Sequence, residues 1–222
     1  MSPIKLNCRL NKIFDAVLGM KPLKVIDVGC DHGKLAVRCA ESGIETLCTD
    51  ISEQSLDKAK KLFEKLGLKG TFVCTDGLKG IDHTGALVVI AGMGGEEIIR
   101  ILSGDKLAER LVLCPHQSTV KLREFLVDRG YKIALDSMVL ERGTYYDVIA
   151  ATKLQNKQDK LTELELVFGR TNLKRDNPDF ESFVIYQKQK FEKILKKLKN
   201  RDAKVNKYVI MLDNLLRGEK NV

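Results

Sequence analysis

Short β-branched and apolar runs alternate with amphipathic runs between residues 23 and 153, and this alternation limits the chain to few architectures. Five strand-like runs follow one another in this way: LKVIDVGC, IETLCTD, GTFVCTDGL, GALVVIAGMGG and RLVLCPH. Strands separated by helices are typical of βαβ units, in which the strands run parallel and helices cover both faces. Two more β-rich runs around residues 141–144 predict an antiparallel hairpin. We therefore expect an α/β fold with a seven-stranded, mostly parallel sheet whose last strand is antiparallel.

The helical runs between these strands carry start and stop signals. The run SEQSLDKAKKLFEKLG begins at Ser52, a residue type that caps helix N-termini, and ends at Gly67. GKLAVRCAES and GEEIIRIL are predicted as the helices that follow the first and fourth strands. STVKLREFLVDRG is predicted to begin with a side-chain cap from Ser118 or Thr119 and to end at Gly130.

After about residue 155 the composition changes, and a second, smaller unit is expected. The polar stretch LQNKQDK is predicted to be a linker, and Asn177-Pro178 suits a helix start. Apolar residues then recur at helical spacing: Phe183, Phe191, Ile194, Leu198, Val205, Val209 and Leu212. Because the run NRDA interrupts them, we expect two antiparallel helices, with one continuous helix as the alternative. The predicted domains are residues 1–155 and a helical, coiled-coil-like domain at residues 156–222.

Positive charge is concentrated in the C-terminal part. The whole chain carries a formal net charge of +8, and residues 183–222 hold eleven lysines and arginines against four acidic residues. Such a surplus has two interpretations: the solvated face of a helical hairpin, or a surface that contacts the phosphates of a nucleic acid. We therefore expect an RNA partner for this segment.

Other features exclude several classes of protein. The six cysteines show no CxxC spacing and the three histidines are far apart, so neither a disulfide framework nor a metal site is expected. The cysteines are interpreted as small buried residues with free thiols. The side chain of His83 is expected to be exposed to solvent and to have no function. No apolar run has the eighteen residues of a membrane span, and no secretory signal begins the chain. We expect a monomer in the cytoplasm that does not bind a membrane.

The carboxyl ends of parallel strands are where ligands bind in such sheets. A pyrophosphate cofactor such as NAD fits this edge poorly, because Asp31 and Asp76 would repel its phosphates. S-adenosylmethionine, which carries no phosphate and has a sulfonium and an ammonium, suits the acidic edge better. In that interpretation Gly29 and Gly33 allow a close backbone approach, Asp50 binds the ribose hydroxyls, and Asp76 accepts from the adenine amino group beside Gly77 and Leu78.

Five segments together resemble one family over almost the whole chain: DVGCDHGKLAV, DISEQSLDKAK, TDGL, VVIAGMGGEEIIRIL and ERGTYYDVI. With the basic C-terminus, they are similar to the bacterial tRNA (adenine(22)-N(1))-methyltransferases, TrmK. The resemblance implies a Rossmann-like class I methyltransferase domain, S-adenosylmethionine as donor, and N1 of an adenine in tRNA as acceptor. By motif it implies these cofactor-binding residues: Arg9, Asp27, Gly29, His32, Gly33, Asp50, Ile51, Asp76, Gly77, Leu78, Ala91 and Gly92.

The resemblance also bears on the acceptor side. Arg9 corresponds to an arginine expected near the cofactor carboxylate, and Ala91 to Gly95 replace the Asn/Asp-Pro-Pro-aromatic loop of amino-methylating enzymes. Many relatives carry Gln-Pro-Asn after the fifth strand, where this chain has Cys114-Pro115-His116. This difference lies beside the expected acceptor pocket, so it bears on which acceptor is bound and how it is recognised.

Three residues are expected to be catalytic: Asp31, Met93 and His116. Asp31 would supply a negative field or bind the adenine amino group, His116 would hydrogen-bond the base edge, and Met93 would shape the pocket. Each residue has a purely structural alternative, such as capping a helix for Asp50 and Asp76, bracing loop amides for Asp27, or orienting the turn for His32. Of Tyr145 and Tyr146, one is expected in the core and the other beside the pocket.

Three other functions remain open on the sequence alone. The first is a catalytically inactive RNA-binding protein that kept the fold. The second is a methyltransferase that acts on a small molecule or a protein, and the third is an NAD oxidoreductase. Transfer of a labelled methyl group to tRNA distinguishes the first two from the expected activity, and binding of NADH without S-adenosylhomocysteine would support the third.

Overall fold

A single seven-stranded sheet forms the centre of the molecule. The computed structural model describes residues 3–104, 106–154, 160–174, 177–199 and 202–218. The strands are β1 (Lys24–Val28), β2 (Glu45–Asp50), β3 (Thr71–Cys74), β4 (Leu87–Met93), β5 (Arg110–Pro115), β6 (Tyr131–Glu141) and β7 (Thr144–Lys153). They lie in the order β3-β2-β1-β4-β5-β7-β6. The first five are parallel and β7 is antiparallel to both neighbours, so the predicted sheet is confirmed.

Alternate strand residues bury the two faces of this sheet against different helices. The helices around it are α1 (Cys8–Gly19), α2 (Lys34–Glu41), α3 (Glu53–Lys65), α4 (Gly95–Leu102) and α5 (Thr119–Asp128). Val25 and Val89 pack with Val17 of α1, whereas Ile26 and Val88 pack with α4 and α5. The period-2 alternation of a strand therefore fixes which helices lie on which face.

The predicted helix starts are largely confirmed. The Ser52 side chain accepts a hydrogen bond from Ser55 N at 3.2 Å and caps α3 as expected. The side-chain cap expected for α5 is wrong, because Ser118 occupies the N-cap position at φ 57° and makes no side-chain bond to the helix. The β6–β7 hairpin closes through Arg142 (φ 49°) and Gly143 (φ 78°), the positive pair that a tight two-residue turn requires.

Helix α1 was missed from the sequence. The Asn7 side chain caps it by accepting from Leu10 N at 2.8 Å, and the buried residues Ile13, Phe14 and Val17 recur at helical spacing. The helix packs beside β5, β6 and β7 and brings its first turn, with Arg9, to the carboxyl edge of the sheet.

The C-terminal residues form α6 (Glu163–Phe168), a 3-10 turn (Asn172–Lys174), α7 (Pro178–Lys197) and α8 (Ala203–Arg217). Lys188 forms an ion pair with Asp213 at 2.5 Å, and the rings of Phe191 and Tyr208 lie 4.8 Å apart. As the residue number rises on α7, it falls on the facing α8, so the two helices are antiparallel and the single long helix is excluded. Most of the predicted linker, residues 155–159, lies outside the described residues.

A buried arginine joins this C-terminal part to the sheet. The Arg123 guanidinium donates two hydrogen bonds of 2.8 Å to Asp136 and one of 3.0 Å to Asp147. It also donates to the carbonyls of Leu166 and Val167, at the end of α6. The division of the chain at residue 155 stays a prediction.

Two burial predictions need correction. His83, in the loop before β4, is buried, with 6% of its surface exposed. Cys8 and Cys74 are exposed, whereas Cys30, Cys39, Cys48 and Cys114 are buried as expected, and none of the six forms a disulfide. Within the described ranges, no helix is both long and apolar enough to cross a membrane, and no cluster of three or more metal-binding side chains occurs.

Candidate functional site

The turn after β1 has a conformation that its glycines make possible. Gly29, Asp31 and Gly33 all have positive φ, at 70°, 47° and 67°. A Cβ on Gly29 would collide with the Met93 side chain, and one on Gly33 would lie 2.7 Å from the Ala59 Cβ of α3. Gly33 therefore allows α2 to begin against α3, while Gly29 leaves room beside Met93.

Asp50 fixes two turns at once. Its Oδ2 accepts a hydrogen bond from Asp31 N at 3.2 Å, and its Oδ1 accepts from Ser52 N at 2.9 Å. The carboxylate thus sits between the β1 and β2 turns. Each carboxylate oxygen accepts more than one bond, so capacity for two ribose hydroxyls remains.

Asp31 and His32 form an exposed pair in the same turn. His32 Nδ1 lies 2.6 Å from Asp31 Oδ2, and about two thirds of the Asp31 side chain is exposed. His32 therefore contacts the Asp31 side chain, whereas the two roles considered for His32, cofactor binding and orientation of the turn, stay predictions.

Asp27 ends β1 as a buried carboxyl group. Only 4% of the residue is exposed, and burial is the main cause that raises its pKa to about 7. The Ala36 N–H opposes this effect by donating to Asp27, and the charge of Asp50 adds to it. A group with this pKa changes charge near neutral pH.

Asp76 is already paired with a residue that the sequence did not single out. Arg100 of α4 donates to both Asp76 oxygens, at 2.7 and 3.1 Å, and also to Glu97. The hydrogen bonds from Arg100 hold the pKa of Asp76 below its usual range. An adenine amino group at Asp76 would thus share the carboxylate with Arg100. Only the i, i+3 spacing of Glu97 and Arg100 hinted at this arrangement.

The backbone conformation of the AGMGG segment shapes the site between β4 and α4. Gly92, at φ 84°, lies where the pairing of β4 with β5 shifts register between Ala91 and Met93. Gly95 N donates to the Gln117 carbonyl at 2.8 Å, and a Cβ on Gly95 would lie 2.7 Å from the Ser118 oxygen. The segment therefore bulges toward the site and packs α4 closely against the loop after β5.

His116, in that loop, lies beside groups from two other elements, α1 and β7. Arg9 Nη1 of α1 is 2.8 Å from His116 Nε2. The Tyr146 ring of β7 lies edge-on to the imidazole at 5.6 Å, and the Arg9 guanidinium lies 4.9 Å from the centre of the same ring. Tyr145 packs on Phe183 of α7 instead. Both tyrosines are half-buried and neither lines the cavities described below, so the division into one core and one pocket tyrosine stays a prediction.

Two adjoining cavities gather most of the predicted residues. One, of about 550 Å³, is lined by Arg9, Asp27, Gly29, Asp31, His32, Ala91, Gly92 and His116, together with four unpredicted residues: Leu10, Cys30, Lys34 and Leu35. The other, of about 540 Å³, contains Gly29, Asp50, Ile51, Asp76, Gly77, Ala91, Gly92 and Met93. Gly33 and Leu78 line neither cavity. Because the cavities share Gly29, Ala91 and Gly92, they form one cleft at the carboxyl ends of β1 and β4.

The chemistry of this cleft fits S-adenosylmethionine. Asp27 and Asp31 line its first half and suit an ammonium or sulfonium, whereas Asp50 and Asp76 in the second half accept hydrogen bonds. Ile51 exposes 76% of its surface there and offers an apolar contact for a purine. The exposed Asp31 carboxylate in the β1 turn would repel a pyrophosphate, which argues against NAD.

Comparisons with known proteins agree with this chemistry. The family model of the tRNA (adenine(22)-N(1))-methyltransferases, TrmK, matches residues 25–216. A tRNA (adenine(22)-N(1))-methyltransferase of Bacillus subtilis is 32% identical over 161 residues, which cover 68% of this chain and 66% of that protein. A Mycoplasma pneumoniae protein with the provisional name of tRNA methyltransferase is 34% identical over 167 residues, covering 72% of this chain and 78% of its own.

One solved structure adds the ligand. It is a candidate tRNA (m1A22) methyltransferase of Streptococcus pneumoniae in complex with S-adenosyl-L-methionine. It superposes with a TM-score of 0.79 at 25% identity and covers 94% of this chain and 98% of its own.

Proposed function

The chain belongs to the tRNA (adenine(22)-N(1))-methyltransferase family, and on that premise we propose how its own residues serve that reaction. The enzyme transfers a methyl group from S-adenosylmethionine to N1 of adenine 22 in tRNA. The observation that carries our proposal is the acidic cleft at the carboxyl ends of β1 and β4, which joins the predicted cofactor residues to the predicted acceptor residues.

The residues of the cleft that would bind the cofactor are assigned as follows. S-adenosylmethionine, when bound, supplies a methyl group that its positive sulfur makes electrophilic. Asp50 would bind the ribose hydroxyls and Asp76 the adenine amino group, while Asp27 would contribute negative charge near the methionine part. Gly29 and Gly92, which lack side chains, keep the middle of the cleft open.

Methylation of the acceptor adenine needs no strong base. Adenine N1 has a free lone pair, so no side chain must remove a proton before the new N–C bond forms. Asp31, Met93 and His116 would therefore act by placing the base and by suiting its developing positive charge. If adenine 22 is paired in the folded tRNA, it must leave the stack to reach the cleft.

The C-terminal helices would hold the tRNA. The described lysines near the turn between α7 and α8 are exposed, namely Lys193, Lys196, Lys197, Lys199 and Lys204. Lys188 and Lys207 instead pair with acidic side chains. A cluster of exposed lysines at one end of a hairpin suits the phosphate backbone better than it suits solubility alone.

The enzyme would act as a monomer in the cytoplasm, where tRNA is modified. Light scattering on the purified protein tests this proposal directly.

The decisive experiment identifies the product. The protein is incubated with tRNA and S-adenosylmethionine carrying a labelled methyl group, the tRNA is digested, and the nucleosides are separated. We expect label in 1-methyladenosine, and none from a tRNA whose position 22 is guanosine. RNA binding without label would support the idle RNA-binding alternative, and label in protein alone would support a protein substrate.

A further inference from the structure

The hydrogen bond between Arg9 and His116 fixes the state of the imidazole. An arginine guanidinium has donors only and stays protonated in proteins. Because Arg9 Nη1 lies 2.8 Å from His116 Nε2, that nitrogen must be the acceptor. The ring is therefore neutral and carries its proton on Nδ1. Burial and the Arg9 charge both lower the pKa of His116, in agreement with the geometry.

The position of this imidazole is fixed from several sides. His116 N donates to the Met93 carbonyl at 2.9 Å, and the Tyr146 ring packs against the side chain. Arg9 itself is held by Tyr146 and by a bond of 3.4 Å from its backbone N to Glu141 Oε2. Among the described residues, none forms a hydrogen bond with His116 Nδ1. One N–H donor on a fixed ring thus remains for a ligand in the cleft.

Resting on the proposed function, we infer that Arg9 is a positioning residue for the acceptor: it holds His116 in the Nδ1–H form, and this N–H donates to N7 of the target adenine. Adenine presents N7 as an acceptor beside its N6 donor. Asp31 lines the same cavity as His116 and would accept from N6. The two contacts leave the N1 lone pair free.

This arrangement also selects the base. Guanine has an oxygen in place of N6, and that oxygen would face the Asp31 carboxylate, acceptor against acceptor. A donor placed at N1 instead would occupy the lone pair that attacks the methyl group. His116 gives up no proton in this role, because the nucleophile needs none removed.

The first test changes one atom of the substrate. We compare tRNA carrying 7-deazaadenosine at position 22 with tRNA carrying 3-deazaadenosine there as the matched control. Loss of the N7 contact should lower kcat/KM about 10-fold, with little change for the control. In His116→Ala the natural tRNA should react about 10-fold more slowly, and the 7-deaza substitution should cost nothing further. Equal rates of the wild-type enzyme on 7-deaza and natural tRNA would overturn the inference.

The second test separates Arg9 from the cofactor. Arg9→Met should leave S-adenosylhomocysteine binding, measured by calorimetry, within about twofold, while kcat/KM for tRNA falls about 10-fold. Arg9→Lys, which keeps a charged donor, should recover part of that loss. Lys12→Met removes the same charge from the same helix and should change neither quantity. A large loss of S-adenosylhomocysteine affinity in Arg9→Met would instead place Arg9 at the cofactor carboxylate and overturn the inference.

The pH profile gives a readout that a merely structural role would not move. In Arg9→Met the pKa of His116 should rise, because burial still lowers it but the charge of Arg9 no longer does. The acid limb of the pH profile of kcat/KM for tRNA should therefore move to higher pH than in the wild-type enzyme. The groups that contact His116 are Arg9 from α1 and Tyr146 from β7, and Glu141 of β6 contacts Arg9. The other charged or titratable side chains that line the same cavity are Asp27, Cys30, Asp31, His32 and Lys34. A profile identical to that of the wild-type enzyme would contradict the inference. Absence of 1-methyladenosine from the wild-type reaction is a separate result that removes the proposed function itself.

Discussion

Asp27 is the carboxyl group in the cleft whose charge changes near neutral pH, because burial raises its pKa to about 7. The ionised form attracts the ammonium of the cofactor, whereas the protonated form does not. We predict that the affinity for S-adenosylhomocysteine rises about threefold or more between pH 6 and pH 8. Binding at pH 7 should also release protons. Calorimetry in buffers of different ionisation enthalpy measures both quantities, and Asp27→Asn should abolish both.

The same group has an opposite effect on stability. A carboxyl whose pKa is raised in the folded state binds a proton more tightly there than in the unfolded chain. Its contribution is therefore most favourable below pH 4 and is lost as pH rises toward 7. Asp27→Asn should be more stable than wild type at pH 8, by at most about 4 kcal/mol, and the difference should shrink at pH 5. The exposed Asp57→Asn is the control, and equal pH profiles for both variants would contradict this reasoning.

At the scale of elements, α4 packs closely against the loop after β5 because residue 95 is a glycine and has no Cβ. A Cβ on Gly95 would lie 2.7 and 2.8 Å from the carbonyl oxygens of Ser118 and Gln117. On Gly94 the nearest atom is the flexible Gln117 side chain, at 3.4 Å. We predict that Gly95→Ala destabilises the protein by about 2–3 kcal/mol, against no more than about 1 kcal/mol for Gly94→Ala. Chemical unfolding measures both, and equal losses would refute the packing argument.

Arg123 connects α5, β6, β7 and α6 through one buried side chain. Burial raises the pKa of Asp136, and only Arg123 opposes this rise. Arg123→Met would leave the carboxyl buried without its cation, so we predict a loss of about 3–5 kcal/mol. Arg129→Met removes an exposed arginine next to the same helix, which lies over the Phe125 ring, and should cost less than about 1 kcal/mol. Thermal unfolding compares the two variants, and similar midpoints would contradict the role given to Arg123.

The parts that the sequence predicted are those set by local pattern. The strands, α3, α4 and the hairpin follow from period and turn residues, and the cleft follows from the rule that strand ends meet at one edge. Helix α1 carried a signal in Asn7 and Ile13 that was overlooked. The pairs Arg100–Asp76 and Arg9–His116 join residues 24 and 107 positions apart, and no local pattern encodes such contacts. The burial of His83 likewise depends on tertiary packing.

At the scale of the molecule, the cleft and the basic end of the hairpin lie on different parts of the protein. The base of the hairpin packs on the sheet through Phe180, Leu212 and Leu215 with Met138 of β6. A 20-residue α7 extends about 30 Å, which carries its last lysines well away from that base. The enzyme would thus hold the tRNA at one place and react with it at another.

Deleting the hairpin would be a poor test of this arrangement. Deletion of α7 and α8 would uncover Met138. A deletion that began before α6 would also remove the Leu166 and Val167 carbonyls that accept from Arg123. Charge substitutions at the exposed end avoid that damage. The matched control removes four exposed lysines on and just after α3, Lys58, Lys61, Lys65 and Lys69, and keeps the net charge of the two variants equal.

We predict that changing Lys193, Lys196, Lys197 and Lys199 to glutamine weakens tRNA binding about 10-fold or more at physiological salt. With each phosphate contact that is lost, tRNA binding releases fewer counterions. The slope of log K against log salt should therefore become shallower by about 0.7–0.9 per contact. The α3 variant should keep the wild-type slope, since its lysines lie away from the hairpin. Binding of S-adenosylhomocysteine should be unchanged in both variants, because the cleft contains none of these lysines. Equal salt slopes for the two variants would show that net charge, and not the hairpin end, governs tRNA affinity.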